Sequence, residues 1–89
     1  MIAVSLKSVE GGWDGRYISI RLSADSQSGK THIWHVRSQG GDIIGHVAWY
    51  SRWRKYAFYP AADCLFEEVC LRELATFLED RTKFQRSGL

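Results

Sequence analysis

The sequence predicts an α+β fold: an antiparallel meander of four to five strands with one C-terminal helix packed on one sheet face. Two patterns carry that expectation. Apolar and polar residues alternate through the segments before Pro60, the only proline, and apolar residues recur at three- and four-residue spacing after it. Length sets the scale, since 89 residues make one small domain, residues 1–89, that buries only roughly 60–65% of the surface its unfolded chain exposes.

The elements follow in order. Ile2, Val4 and Leu6 alternate with polar or small neighbours, predicting a strand over about 2–7. Glycines 11, 12 and 15 then permit a tight turn. Ile18, Ile20 and Leu22 share one face and Tyr17, Ser19 and Arg21 the other, a strand over 17–22. The polar stretch Ser23 to Lys30 suits a hairpin loop, and Ile33, Trp34 and Val36 favour a strand over 31–37. After the Gly40-Gly41-Asp42 turn come strands over 43–50 and 53–59, reversed at Ser51-Arg52 and stopped by Pro60.

Asp63 is placed to cap a helix over about 64–81. Leu65, Phe66, Val69, Cys70, Leu74, Phe77 and Leu78 form its apolar face, and residues 82–89 read as a frayed tail. Cys64 and Cys70, six apart on such a helix, diverge by about 9 Å along the axis and about 240° around it, so they read as reduced thiols.

Charge is uneven along the chain. Residues 1–59 carry a net +4, residues 60–89 a net −2. That excess falls short of a dedicated DNA-binding stripe but allows a local patch. No apolar run is long enough to span a bilayer, and Met1 to Glu10 alternates rather than forming a signal-peptide block, which points to a cytoplasmic setting without membrane contact.

Several chemistries can be weighed from spacing alone. Ala24 to Thr31 fits a relaxed phosphate-loop pattern, but a strand, not a helix, is expected after it, so no helix N-terminus would face the phosphates. His32 and His35 would point to opposite faces of a strand and the two cysteines diverge, so no metal site is expected. Glu67-Glu68 point apart, Asp14 and Asp42 sit in turns, and no nucleophile–base pair stands out. The sequence therefore points to a non-enzymatic protein without catalytic residues or cofactors.

The informative segment is Trp49 to Tyr59, in which six of eleven residues are aromatic. Trp49, Arg52, Trp53, Arg54, Lys55, Tyr56 and Tyr59 make a candidate binding set, because aromatics interleaved with Arg and Lys stack bases and neutralise phosphates, and also serve as protein hot spots. Glu67, Glu68 and Glu73 form a secondary acidic surface on the helix.

Trp53-Arg54-Lys55-Tyr56-Ala57-Phe58-Tyr59-Pro60, preceded by Gly45 and Trp49 and followed by Cys70-Leu71-Arg72-Glu73-Leu74-Ala75-Thr76-Phe77, matches a pattern W-R-x-Y-x-F-x-P, then C-L-x-x-[IL]-x-x-F. Thr31, Ile33, Trp34 and Val36 fit it upstream. On these residues the chain resembles a group of short, mostly uncharacterised proteins of phages, prophages and their bacterial hosts. The resemblance covers about Thr31 to Arg81 and implies a mobile-element setting in a host cell. The leading expectation is an accessory protein acting by binding, an anti-defence, anti-CRISPR-like inhibitor of a host protein or ribonucleoprotein effector. The alternative is a small single-stranded nucleic-acid-binding protein using the basic aromatic hairpin. A sheet face that kept several aromatics exposed would also favour a homodimer.

Overall fold

The computed structural model describes residues 12–26 and 29–87. Strands β1 (Gly12–Asp14), β2 (Ile18–Asp25), β3 (His32–Ser38), β4 (Ile43–Tyr50) and β5 (Lys55–Pro60) form one sheet in the order β1-β2-β3-β4-β5. Every neighbouring pair is antiparallel. Helix α1 (Glu68–Ser87) lies across one sheet face, so the α+β meander is the architecture of the molecule.

The strand expected over 2–7 lies outside the described residues. Among the described residues a strand also forms at Gly12–Asp14, where a turn was expected, paired Gly12↔Arg21, Trp13↔Ile20 and Asp14↔Ser19. Packing overrides the weak strand propensity of glycine there: Trp13 is half-buried, its ring 6.1 Å from that of Phe77. A bulge at Ser23, between Leu22 and Ala24, brings Ala24 opposite Ile33 and Asp25 opposite His32.

The helix differs from expectation at both ends. Asp63 does not cap it. That residue adopts a left-handed φ of 61° in the connector, and Glu67 is the cap, its Oε1 accepting the Cys70 N–H at 2.6 Å. Cys64 therefore lies before the helix and Cys70 in its first turn, both as free thiols. Burial, then the charges of Glu67 and Glu73, push the Cys70 thiol above its ordinary range.

Residues 82–87, expected to fray, continue the helix because polar bonds tie them to the sheet. The Thr82 hydroxyl accepts the Tyr56 N–H at 3.0 Å, and Gln85 donates to the Lys30 carbonyl at 2.9 Å. Arg86 donates twice to the Arg54 carbonyl, at 3.0 and 2.7 Å.

Between the layers, Ile18, Ile20, Trp34, Val36, Val47 and Tyr56 of the sheet meet Cys70, Leu74 and Phe77 of α1. Trp34 sits at the centre. Phe77 meets it edge-on at 5.2 Å and 88°, Tyr56 at 5.2 Å and 69°, and the Arg81 guanidinium lies over its ring at 5.2 Å.

Two close approaches lock this arrangement. Glu73 of α1 accepts the backbone N–H groups of Arg16 and Tyr17, and its carboxylate lies so near Gly15 that a Cβ there would meet it at 2.6 Å. At Gly45, a Cβ would meet the Phe58 ring at 2.5 Å and the Tyr59 carbonyl at 2.6 Å. Phe58 thus covers a site that only glycine leaves open, with its far side against Phe66 at 5.4 Å.

Gly45→Ala should lower stability by about 1–3 kcal/mol through displacement of Phe58 and the β5 backbone, read as a fall in thermal midpoint; an unchanged midpoint would contradict the packing. Glu73→Gln should cost about 1 kcal/mol or more, because charge-assisted bonds to two backbone donors are weakened. Glu79→Gln, exposed on the same helix, should be close to neutral in the same denaturant titration.

Candidate nucleic-acid interface

The hairpin joining β4 to β5 turns over Ser51-Arg52-Trp53-Arg54. Its N–H groups at Trp53 and Arg54 donate to the carbonyls of Tyr50 and Ser51, both at 3.1 Å. Arg54 closes the turn with a φ of 55°, a conformation disfavoured for any residue bearing a Cβ. Two hydrogen bonds donated by the Arg86 guanidinium to its carbonyl hold it there. Trp53 is 63% exposed, and its ring meets that of Tyr50 at 4.7 Å and 77°. Arg52, Arg54 and Lys55 are exposed around it.

Behind the turn the sheet face opposite α1 carries a transverse row. Arg21 of β2 pairs with His35 of β3, His35 with His46 of β4, and His46 with Tyr59 of β5. Directly opposed residues of antiparallel strands project to one side, so these four share the outer face. His46 and Tyr59 stack at 4.8 Å with their planes 4° apart. Beside this row Ala48 pairs with Ala57, making a low floor, and beyond it Tyr50 pairs with Lys55 next to the turn. On the other flank Arg37, whose guanidinium donates to the Gly41 carbonyl at 3.1 Å, pairs with Ser19. No element among the described residues is packed on this face.

Among the described residues, the unpaired charge on this surface is positive. Asp14 is bound to Arg21 at 2.8 Å, an exposed pair. Among the described residues, no carboxylate is ion-paired with Arg37, Arg52, Arg54 or Lys55. Asp25 is engaged elsewhere, its Oδ1 2.7 Å from Nδ1 of His32, whose ring lies 5.6 Å from that of the buried Trp34. His32 and His35 therefore lie on opposite faces.

The candidate set from sequence divides in two. Arg52, Trp53, Arg54, Lys55 and Tyr59 lie on the turn and outer face. Trp49 and Tyr56 do not belong with them. They are register partners on the inner face, 5.1 Å apart and edge-on, with Tyr56 only 4% exposed, because a domain of this size needs their bulk to close its core. Tyr56 accepts the His32 N–H at 3.2 Å and donates to Gln85 at 3.4 Å; burial pushes its phenol up, opposed by the His32 bond and the nearby charge of Arg81.

The acidic set is also dispersed in role. Glu67 caps the helix, Glu73 holds the β1–β2 turn, and Glu68 is exposed 3.6 Å from Arg72. Together they make no continuous acidic face.

Arg21, Arg37, His35, His46 and Tyr50 join the candidate surface although spacing did not single them out. Alternation in β2 already put Arg21 opposite the apolar face. The missing information was lateral register, which strand periodicity does not contain.

Ala24 and Asp25 end β2 and Thr31 leads into β3, a strand; the Ser26 hydroxyl accepts the Thr31 N–H at 3.3 Å. Among the described residues no group of three or more His, Cys, Asp or Glu is placed to hold a metal ion, and no helix is long and apolar enough to cross a membrane. A groove of about 350 Å³ between β5 and α1, lined by Tyr56, Leu78, Glu79, Thr82 and two lysines, Lys55 and Lys83, is mainly apolar and mixed in charge.

Comparison with known proteins gives no match to a family model, a curated protein or a solved structure.

Arg54→Gly should stabilise the protein. Relief of about 1–2 kcal/mol of left-handed strain outweighs the roughly 0.5–1 kcal/mol of added chain entropy, a net gain of up to about 1.5 kcal/mol in denaturant titration. A loss would mean that the Arg54 side chain itself holds the turn.

Proposed function

We propose that this protein acts by binding, and that the surface it uses is the outer sheet face together with the β4–β5 turn, with single-stranded nucleic acid as ligand. The observation that carries this is the segregation of charge. Arg52, Arg54 and Lys55 stand without carboxylate partners around the rings of Tyr50 and Trp53, and Arg37, likewise unpaired, lies on the far flank of the row that carries Tyr59. A polyanion with exposed bases satisfies both: phosphates replace counterions at the cations, and bases stack on the rings. The shallow floor of Ala48 and Ala57 admits an extended strand.

A second reading keeps the same surface and changes the partner. An exposed Trp flanked by Arg and Tyr on a turn is the composition of a protein hot spot, and the phage resemblance favours an anti-defence, anti-CRISPR-like inhibitor seated on a host effector. Nucleic-acid mimicry by the helix does not support that reading, because Glu67 and Glu73 are engaged within the fold. Any such inhibitor would act through its basic turn.

Anisotropy titration with a short single-stranded oligonucleotide tests the first reading. Affinity should fall linearly with log salt. Arg52→Gln with Lys55→Gln should flatten the slope by about 1.4, at about 0.7 per phosphate contact. Trp53→Ala should cost about 1–3 kcal/mol in binding while leaving the thermal midpoint unchanged. Absence of binding at low salt, with a host protein retained on the immobilised domain after nuclease treatment, would favour the inhibitor.

A further inference from the structure

The two histidines at the centre of the outer face play no part in the core. His35 and His46 are register partners on adjacent strands, His46 exposed and stacked on Tyr59, His35 half-buried with its Nε2 3.5 Å from the Ser23 hydroxyl. We infer that His35 and His46 form a proton-gated part of the nucleic-acid surface, taking up protons as the polyanion binds. This rests on the nucleic-acid reading of the face and adds its regulation.

Placement supplies the argument. Histidine changes charge between about pH 5 and pH 8. Among the described residues, the titratable and charged groups sharing the outer face with this pair are Arg21 from β2, Arg37 further along β3, Tyr50 from β4, Tyr59 and Lys55 from β5, and Asp14 from β1, with the Ser23 hydroxyl beside His35. The one carboxylate in that set, Asp14, is already bound to Arg21. Two imidazolium ions directly opposed across antiparallel strands, beside arginine, repel one another, and among the described residues of this face no carboxylate is left unpaired to offset it.

A phosphate chain laid along the row removes that repulsion. By linkage, whatever favours the charged pair is itself bound more tightly by it, so protonation and polyanion binding reinforce each other. The stack on Tyr59 fixes the His46 ring on the exposed face, where a charged imidazole also gains from the phenol face. His32 is excluded from this role, since Asp25 holds it on the helix side.

Titrations of a short oligothymidylate at about pH 8 and about pH 5.5 test the inference. The salt slope should steepen at the lower pH by about 0.7 for each imidazole that charges, up to about 1.4 for both. Calorimetry in buffers of different ionisation enthalpy, near pH 6.5, should show net proton uptake on binding. His35→Gln with His46→Gln should retain the slope seen at high pH and abolish both signals, whereas His32→Gln should keep them. Equal slopes at the two pH values, or pH dependence that survives the double variant or vanishes in His32→Gln, would overturn the proton-gated pair while leaving nucleic-acid binding intact. No binding at either pH would reject the reading of the face itself.

Discussion

The packing of Trp34 is the constraint on which the rest depends. This indole is 1% exposed, with one aromatic edge from the helix, another from the neighbouring hairpin and a guanidinium over its ring. Truncating an aromatic of that kind typically costs about 3–5 kcal/mol, a large part of the stability of so short a chain. The contacts also fix the rotation and height of α1. Only one placement presents Phe77 and Arg81 to the same ring, and that placement sets Glu73 at the β1–β2 turn and Arg86 at the β4–β5 turn.

Helix position and turn geometry are therefore one problem. Glu73 and Arg86 lie about 20 Å apart along an ideal helix, and each satisfies backbone groups of a different hairpin. The left-handed Arg54, which aims the exposed turn, is held by the C-terminal end of α1. The surface proposed for binding is thus rigid where it joins the sheet, with side chains rather than backbone left to adapt. Preorganisation of that kind reduces the ordering cost of association.

Much of this was legible in the residues. The strands at His32–Ser38 and Ile43–Tyr50, and β2 as far as Leu22, follow the alternation of their apolar positions, and the helix follows its spacing, whereas Ser23 to Asp25, expected in a loop, continue β2 past the bulge. What escaped was tertiary in origin. Thr82, Gln85 and Arg86 look like a frayed end because their bonds are to other elements, and Gly12–Asp14 looks like a turn because the burial of Trp13 is decided by Phe77. The crowding of aromatics from Trp49 to Tyr59 was plain, yet composition assigns no face. Period two along β5 separates Tyr56 and Phe58 from Lys55 and Tyr59, and the helix, not the strand, decides which side is inside.

The bond from Tyr56 N–H to the Thr82 hydroxyl has a consequence for how molecules of this protein can meet. In β5 the backbone groups facing away from β4 alternate, falling at Tyr56, Phe58 and Pro60. Thr82 occupies the first donor and proline lacks the third, which leaves Phe58 alone to offer an N–H along that border. A strand seeking to extend the sheet there would find no ladder to climb. Growth into filaments by stacking strand on strand is disfavoured at this margin, which leaves the broad side of the sheet as the more open approach.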